Sequence, residues 1–410
     1  MKVLFVHQNF PGQFQHLAPA LAAQGCEVRA LHMRSVPLPE GPAVEMVRYQ
    51  PSQGSTPGVH PWAREFESKV IRAEAAFRAA LNLRAEGFEP DVIVAHPGWG
   101  EALFLKDVWP RAKVGIYCEF YYRAVGADTG FDPEFPSADA PGEVCRLRLK
   151  NISHDMHMAF ADGGLSPTDW QASTFPQPFR DRIHVAHDGI DTQAIAPNPL
   201  AWLAFKGGLR LTRDDEVITF VNRNLEPYRG CHIFMRALPQ ILRQRPQAHV
   251  LIVGGQGVSY GAAPAAGKTW KQIFVDEVRP QMTHQDWARV HFLGELPHHQ
   301  FVTLLQLSRV HVYLTYPFVL SWSLLEAMSA GAAIVASDTA PVREVITHND
   351  TGRLVDFFNV GALADEVCAL LDDTAGRQKL GATARMLAQE RYDLKTVCLP
   401  AQQAWVQGLR

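Results

Sequence analysis

The sequence predicts an α/β protein of two doubly wound, Rossmann-like domains, and three observations support this prediction. The chain has 410 residues, more than one ordinary hydrophobic core organises. Short apolar runs alternate with segments of helical periodicity, the pattern of parallel sheets with helical crossovers. That alternation stops near residue 198 and restarts near residue 216. We expect the two domains to face each other across a cleft, with ligands at the carboxyl ends of the strands.

The first half shows strand and helix patterns in succession. Apolar runs predict strands at 2–8, 27–33, 43–49, 91–96 and 113–120, with shorter ones at 162–167 and 182–191. Helical spacing predicts helices over about 14–25, 62–86, 99–109 and 142–161. Between them, 121–141 is rich in Gly, Pro and Asp and predicts a loop.

The second half repeats the alternation. Strands are predicted at 216–223, 248–255, 289–296, 310–316 and 332–338, and helices over about 232–246, 323–330 and 360–373. A last helical segment, about 378–409, is expected to pack back on the first domain. The predicted domains are therefore 1–197 with a return helix over about 395–410, and 198–394.

Composition excludes several classes of function. Hydrophobic residues make up 47% of the chain and charged residues 20%, which is typical of a globular protein. A net charge of −3 argues against a nucleic-acid partner. The six cysteines form no C-x-x-C pair, which argues against zinc and favours reduced thiols. The N-terminal run predicts a first strand, not a signal peptide, and no apolar window is long enough to span a membrane, so we expect a cytoplasmic protein.

Two arginines lie at the end of the first strand of the second half. Arg223 ends that strand, and Arg229 follows in a Pro-containing loop before a helix. Planar guanidinium groups at this edge could hold a diphosphate. Spacing alone favours two solvated loop arginines, and the diphosphate site is the alternative.

The run YPFVLSWSLLEAMSAG, 316–331, keeps a single acid, Glu326, in an apolar segment. Ser323 and Glu326 have the S-x-x-E spacing of a capping box, in which the acid would satisfy a free backbone N–H. A site at the same helix N-terminus is the other interpretation, because backbone donors there favour a phosphate.

Three residues of the first half follow strands at turns. His96 lies at a Pro-Gly turn, Glu119 at the end of another strand, and Gly12 in the first strand-to-helix loop. Each is a candidate site residue, and each is also explained by a structural role. No G-x-G-x-x-G or D-x-D motif accompanies them, so a nicotinamide dinucleotide site and a metal–nucleotide bridge are not predicted. Neither a cofactor nor a metal site is expected.

Several segments, in order, resemble the family-four glycosyltransferases of GT-B fold over nearly the whole chain. They include HQNFPGQ at 7–13, typical of a bacterial subgroup, PDVIVAH at 90–96, IHVAHDGID at 183–191, FVNRNLEPYRG at 220–230 and SLLEAMSAGAAIVASD at 323–338. The resemblance implies two Rossmann-like domains and a nucleotide-sugar donor, UDP- or GDP-linked. It also implies transfer with retention of anomeric configuration, without a metal, in polysaccharide or glycoconjugate biosynthesis.

The resemblance also implies roles for particular residues. Arg223 matches the family's diphosphate arginine, and Arg229 stands where the family has a lysine. Glu326 matches the second glutamate of the E-x7-E motif, which holds the nucleotide ribose. His96 matches the histidine near the donor sugar, and Gly12 the glycine of the first loop. The donor phosphates would also contact the helix start at Ser321, Trp322 and Ser323.

One position departs from the family pattern. The first glutamate of E-x7-E falls at Phe318, whose ring cannot accept a hydrogen bond from a sugar hydroxyl. Glu119 or the backbone at 320–323 could contact the sugar instead, the donor could be an unusual sugar, or catalysis could be lost. A nucleotide-sugar 2-epimerase and a non-catalytic sugar-nucleotide-binding partner are therefore the alternatives to a transferase.

The acceptor is not identified by the sequence. The predicted helix over 62–86 and the loop 121–141 belong to the domain expected to bind it. Basic residues of that helix could contact an anionic membrane, although interspersed acids favour a solvated face: Arg64, Lys69, Arg72, Arg78 and Arg84.

Overall fold

The computed structural model describes residues 1–35, 43–137, 139–205 and 207–410. They form two compact units. The first contains Met1–Gly130, Pro136–Gly189 and Lys395–Arg410, and the second contains Phe131–Phe135 and Ile190–Leu394. The division falls earlier than the predicted boundary at 197/198.

The first unit is an α/β unit. Its strands are β1 (Lys2–Val6), β2 (Asn9–Phe10), β3 (Glu27–His32), β4 (Arg34–Ser35), β5 (Glu45–Arg48), β6 (Val92–Ala95), β7 (Lys113–Tyr117), β8 (Gly163–Ser166) and β9 (Ile183–Val185). Its helices are α1 (Leu17–Ala23), α2 (Arg64–Ala85), α3 (Leu105–Val108), α4 (Ala140–Phe160) and α5 (Asp169–Ser173), joined by a last helix described below.

Seven strands of this unit form one parallel sheet in the order β5-β3-β1-β6-β7-β8-β9. Successive residues of β1 enter different apolar clusters: Leu4 and Val6 pack on one face of the sheet, Val3 and Phe5 on the other. Burial on both faces explains why these strands are continuous apolar runs in the sequence.

The second unit repeats the architecture. Its strands are β10 (Trp202–Ala204), β11 (Arg210–Thr212), β12 (Val217–Asn224), β13 (His249–Gly255), β14 (Val290–Gly294), β15 (Val310–Tyr313), β16 (Ala333–Ser337) and β17 (Arg353–Val355). Its helices are α6 (Cys231–Gln244), α7 (Trp270–Val278), α8 (His284–Trp287), α9 (His298–Leu307), α10 (Trp322–Ser329), α11 (Ala340–Arg343), α12 (Val360–Asp372) and α13 (Thr374–Tyr392).

Six of these strands form a parallel sheet in the order β14-β13-β12-β15-β16-β17, while β10 and β11 form a separate hairpin. From β12 the chain adds β13 and β14 on one side, and it then returns to add β15, β16 and β17 on the other side of β12. This is the strand order of a Rossmann-like sheet, so the predicted fold class is confirmed.

The predicted helical segment 378–409 is two helices. α13 ends at Tyr392, Asp393 is extended, and α14 (Leu399–Leu409) follows a π-helical turn at Leu394–Cys398. α13 belongs to the second unit and α14 to the first, where Val406 packs in the core with strand residues. The expected return of the C-terminus to the first unit is confirmed.

Other predicted elements differ in detail. The helix over 99–109 is reduced to α3, and the helices α7 and α9 were not predicted. On α2, Lys69 is buried and donates to Ser153 Oγ at 3.1 Å, so it does not belong to a basic surface. All six cysteines are free thiols. Within the described ranges, no helix combines the length and apolarity needed to cross a membrane.

The predicted loop over 121–141 contains five residues that belong to the second unit. Phe131 packs against Tyr316 and Phe357, and Phe135 against His232. The chain therefore leaves the first unit after Gly130 and re-enters it at Pro136.

Candidate functional site

In the first unit, strand order reverses between β1 and β6, which are neighbours in the sheet. His7 directly follows β1, and His96 directly follows β6. Loops after such a pair of parallel strands diverge and leave room for side chains or a ligand at the carboxyl edge. The two imidazole rings lie there with their centroids 5.3 Å apart.

A chain of hydrogen bonds links His7 to Glu119. The backbone N–H of Asn9 donates to His7 Nδ1 at 3.0 Å, so the ring proton lies on Nε2. His7 Nε2 then donates to Gln13 Oε1 at 2.9 Å, and Gln13 Nε2 donates to Glu119 Oε1 at 3.1 Å. The Gln13 amide thus bridges the His7 imidazole and the Glu119 carboxylate and couples their orientations.

His96 contacts the same carboxylate from the other side. Its Nδ1 accepts from the backbone N–H of Gly98 at 3.1 Å, which places the proton of the neutral ring on Nε2, 3.4 Å from Glu119 Oε2. The Trp99 ring packs on both imidazoles, with centroids 4.8 Å from His7 and 4.5 Å from His96. We call His7, Gln13, His96, Trp99 and Glu119 the histidine cluster.

The cluster holds one carboxylate beside two imidazole rings. Burial and the neighbouring His96 lower the pKa of His7 to about 3, so this imidazole is neutral near pH 7. Burial acts to raise the pKa of Glu119, but the neighbouring His96, His7 and Gln13 together outweigh burial, and the pKa is lowered. The Glu119 side chain is 37% exposed, so an ionised, oriented carboxylate faces solvent at this edge.

Gly12 makes the approach of His7 and Gln13 possible. Its φ is +49°, and a Cβ placed on it would lie 2.3 Å from the His7 ring. Only glycine fits there without displacing the imidazole. Gly12 therefore has a structural role in the cluster, and its predicted close approach to a ligand stays a prediction.

In the second unit, strand order reverses between β12 and β15. A pocket of about 420 Å³ opens at the carboxyl edge of β12, β13 and β14. Its lining brings together four of the residues predicted from the sequence: Arg223, Arg229, Ser321 and Ser323. The other lining residues are Val221, Asn222, Val253, Gly254, Tyr260, Glu295, Leu296 and Phe301. We call it the carboxyl-edge pocket.

Its two arginines are held differently. Arg229 is buried, and its Nη1 donates to Thr315 Oγ1 at 2.8 Å and to the Val319 carbonyl at 2.9 Å. These bonds tie the loop after β15 to the loop after β12. Arg223 is exposed, and among the described residues no group accepts a hydrogen bond from its guanidinium or pairs with it. The N–H groups of Arg223 are therefore available to a ligand in the pocket, whereas Arg229 lines the pocket and holds its two loops together.

The predicted capping box does not form. The N-cap of α10 is Ser321, whose Oγ accepts from the Ser323 backbone N–H at 3.3 Å. Ser323 lies inside the first turn with its Oγ 2.9 Å from Ser321 Oγ. Trp322, the first residue of the helix, is 36% exposed. The register is shifted because the helix begins one residue earlier than predicted.

Glu326 is one helical turn beyond Ser323 and does not return to the helix start. Its Oε1 accepts from His298 Nε2 at 2.8 Å, at the first residue of α9. This hydrogen bond raises the pKa of His298. The carboxylate thus links α9 to α10 beside the pocket. The spacing of residues in the sequence did not predict this contact with His298.

Phe318, at the position of the expected first glutamate, is buried in an aromatic cluster. Its ring meets Tyr228 edge-on at 5.5 Å and Tyr260 at 4.9 Å, and the Arg229 guanidinium lies 5.8 Å from it. Phenylalanine at this position is therefore accommodated by packing against other aromatic rings beside the Arg229 guanidinium.

Glu226 was not singled out from the sequence. It is buried and accepts from the backbone N–H groups of Ser259 at 3.1 Å and of Tyr260 and Gly261 at 3.4 Å. Burial raises its pKa. This carboxylate holds the 259–261 loop so that Tyr260 lines the carboxyl-edge pocket. Its position in the loop between Arg223 and Arg229 was the available signal.

Three potential metal ligands, Asp132, Glu134 and His232, also come together in the second unit. Protein groups already occupy them. Asp132 accepts from Tyr316 Oη at 2.6 Å and lies 3.0 Å from His232 Nε2, and Glu134 makes a two-point ion pair with Arg236. The expectation of no metal site stays a prediction.

Sequence comparison gives matches in both units. The family model described as "Glycosyl transferase family 4 group" matches residues 24–195, and "Glycosyl transferases group 1" matches 205–386. A D-inositol 3-phosphate glycosyltransferase from Jonesia denitrificans is 25% identical over 91% of this chain and 85% of that protein. A phosphatidyl-myo-inositol mannosyltransferase from Mycobacterium tuberculosis is 28% identical over 49% of this chain and 50% of that protein.

Solved structures share the fold at low identity. Sucrose-phosphate synthase from Thermosynechococcus elongatus aligns with a TM-score of 0.72 and 18% identity over 99% of this chain and 98% of that one. Anabaena HepE, solved with UDP and glucose, aligns with a TM-score of 0.65 and 18% identity over 100% and 99%. With the two sheets and these matches together, the chain belongs to the family-four glycosyltransferases of GT-B fold.

Proposed function

We propose that this glycosyltransferase takes its sugar from a nucleoside diphosphate sugar and transfers it with retention of anomeric configuration. The observation that carries the proposal is the carboxyl-edge pocket. An exposed Arg223, the buried Arg229 and the capped start of α10 converge on a space of about 420 Å³. Guanidinium groups and a helix N-terminus are the groups that bind a diphosphate in proteins.

In this proposal the arginines stabilise the leaving group. The bond between the anomeric carbon and the phosphate oxygen breaks, and its electron pair leaves with the nucleoside diphosphate. The acceptor oxygen bonds to the same face of that carbon, and its proton passes to the departing phosphate. Positive charge that is already in place lowers the free energy of such a transition state without a metal. Glu326 would bind the ribose hydroxyls.

The histidine cluster would act on the sugar. His96 would orient it, and the ionised Glu119 carboxylate can accept a hydrogen bond from a sugar hydroxyl or stabilise developing positive charge. Glu119 therefore replaces the function that the family assigns to the position of Phe318. His7 and Gln13 would fix its orientation.

The donor is tested by a ligand panel. UDP, GDP, ADP and their sugar conjugates are titrated while the melting temperature is followed, because a ligand of the native state raises apparent stability with ln(1 + [L]/Kd). Since HepE was solved with UDP and with UDP-glucose, we expect the largest shift with a uridine nucleotide. Arg223→Ala should reduce it, and Arg343→Ala, which removes an exposed arginine paired with Asp338, should not. No shift with any nucleotide contradicts the proposal.

Retention is tested on the product. The donor that binds is incubated with candidate acceptors, including inositol 3-phosphate because of the inositol-phosphate relatives, and the anomeric configuration is read by NMR. An α-linked product from an α-linked donor supports the proposal, and an inverted product contradicts it. The burial of Phe318 favours one second candidate, a protein that binds the donor without transferring it. Donor binding with neither transfer nor hydrolysis would support that candidate, and an epimer formed from donor alone would indicate the epimerase.

A further inference from the structure

The second unit has another pocket, of about 460 Å³, which shares no residue with the carboxyl-edge pocket. We call it the arginine pocket. It is lined by Pro197, Arg213, Asp214, Ser308, Arg309, Gly331, Ala333, Thr374, Arg377, Gln378, Gly381, Ala382 and Arg385.

Its place in the fold is the opposite edge of the same sheet. Arg213 and Asp214 lie in the turn before β12, Ser308 and Arg309 directly precede β15, and Ala333 begins β16. These are the amino ends of strands whose carboxyl ends carry the candidate donor site. One side of α13 forms most of the remaining wall, and Pro197 and Gly331 complete it.

Backbone carbonyls hold the four arginines of this pocket. Arg213 Nη1 donates to the Gln306 carbonyl at 2.9 Å, and Arg309 Nε donates to the Arg213 carbonyl at 3.3 Å. Arg377 donates to the last carbonyls of α12 and, through Nη2, to Thr374 Oγ1 at 2.9 Å. Arg385 Nη2 donates to the Thr192 carbonyl at 3.2 Å. Carbonyl groups fix the guanidinium groups in place, but unlike carboxylates they carry no net negative charge.

In the part of the chain that the structure describes, no carboxylate forms an ion pair with these arginines, although Glu216 and Asp373 act at longer range to raise the pKa of Arg377. Across the residues that the structure describes, none of these four arginines has a carboxylate oxygen within 4.0 Å. Asp214 is the one acid of the lining. Two other acids nearby have partners of their own: Glu216 pairs with Arg245, and Asp373 accepts from the Gly376 N–H at 2.8 Å. Burial and the charge of Arg309 lower the pKa of Arg213 and of Arg377, as expected for cations that repel one another.

We propose that the arginine pocket binds the phosphate group of a small phosphorylated molecule, at a site separate from the donor site. Four fixed guanidinium groups facing one acid supply the charge, and their planar forks match phosphate oxygens. The volume falls in the range of small-molecule sites and exceeds what a lone phosphate ion fills. The site is independent of the proposed reaction.

The test uses inorganic phosphate and pyrophosphate as probes at constant ionic strength. Melting temperature and calorimetry are followed for the wild type, Arg223→Ala and Gln378→Glu. Gln378 is exposed on the pocket wall, so the substitution adds a negative charge without removing an arginine or a core contact. We expect the affinity for both anions to fall at least about tenfold in Gln378→Glu, because a like charge at contact range in a partly buried site repels the anion.

A matched control lies on the same helix. Gln389→Glu makes the same chemical change eleven residues along α13, about 16 Å away, beyond the Debye length at physiological salt. It should bind both anions like the wild type. Arg223→Ala, which is expected to lose pyrophosphate binding at the donor site, should keep wild-type binding of inorganic phosphate at the arginine pocket. The proposal is overturned if the wild type binds no inorganic phosphate, if Gln378→Glu binds it as tightly as the wild type, or if Arg223→Ala no longer binds it. The last result would assign the anion to the donor site, whose own test uses nucleotides.

Discussion

The two units place their candidate sites where strand order reverses, but they fill that place with different chemistry. In the first unit the side chains of the histidine cluster bond to one another, from His7 through Gln13 to Glu119. In the second unit the guanidinium of Arg223 has no partner among the described residues. The first edge is held largely by its own hydrogen bonds, and the second presents unused donors.

This difference is consistent with the separate sugar and phosphate roles proposed above. A network whose members fix each other's orientation is suited to hold a neutral sugar in one geometry. An unpartnered cation beside a helix N-terminus is suited to receive a phosphate, which supplies the missing acceptors. Under the proposed function, the same topology would position the sugar in one unit and stabilise negative charge in the other.

The strongest test of this contrast is Arg223→Ala. We expect turnover to fall by about 10²–10³, because the variant removes one preorganised donor to the developing negative charge. The fold should survive because the side chain is exposed. Steady-state kinetics with the identified donor measure the effect, with circular dichroism as the check on folding and Arg343→Ala as the control. Near-normal turnover would remove Arg223 from the site.

Glu119→Gln tests the other side of the comparison. The amide keeps the shape but loses the charge, so we expect kcat to fall by about tenfold to a hundredfold while nucleotide affinity is unchanged. The measurement is kcat alongside the Kd for the nucleoside diphosphate. If nucleotide affinity falls as much as kcat, the proposed separation between sugar and phosphate roles is wrong.

The neutral state of His7 predicts a pH effect on stability. Its folded pKa is lowered to about 3, so between pH 6.5 and 3 the unfolded chain binds a proton that the native state does not. The free energy of unfolding should therefore fall with falling pH, by up to about 1.4 kcal/mol per pH unit from this residue. Urea unfolding at pH 7 and pH 5 measures the slope. His7→Gln should make it shallower, and Arg223→Ala should leave it unchanged because arginine does not titrate there. Equal slopes in His7→Gln and the wild type would contradict the assignment.

The smallest expected effect concerns Glu326. Glu326→Gln should weaken nucleoside diphosphate binding about tenfold or less, because the lost group makes charge-assisted hydrogen bonds to the ribose but does not touch the phosphates. His298→Ala removes only the partner of Glu326 and should change affinity less. Calorimetry on both variants makes the comparison. A greater loss in His298→Ala than in Glu326→Gln would show that the histidine is the ligand.

Much of the fold was predictable because strands buried on both faces leave continuous apolar runs in the sequence. Much of the site was not. Arg223 and His96 were found because each directly follows such a run. His7, Gln13 and Trp99 acquire their importance only when β1 and β6 become neighbours, a long-range pairing that local periodicity does not encode.

Local sequence patterns also failed to predict where helix α10 begins and which side chains hydrogen-bond to each other. Ser323 and Glu326 have the spacing of a capping box, yet Ser321 caps the helix and His298, on another helix, binds the acid. Likewise, two arginines six positions apart looked equivalent, but packing buried Arg229 under Tyr260 and Phe318 and left Arg223 exposed.

The short excursion Phe131–Phe135 has a consequence for cutting the protein into pieces. A fragment spanning only 190–394 would lack these five residues, exposing the rings of Tyr316 and Phe357 and removing the acids that pair with His232 and Arg236. A fragment ending at residue 189 would lack α14 and uncover its place in the first core. Neither continuous fragment contains all the residues of its unit, so each unit requires residues from a distant part of the sequence.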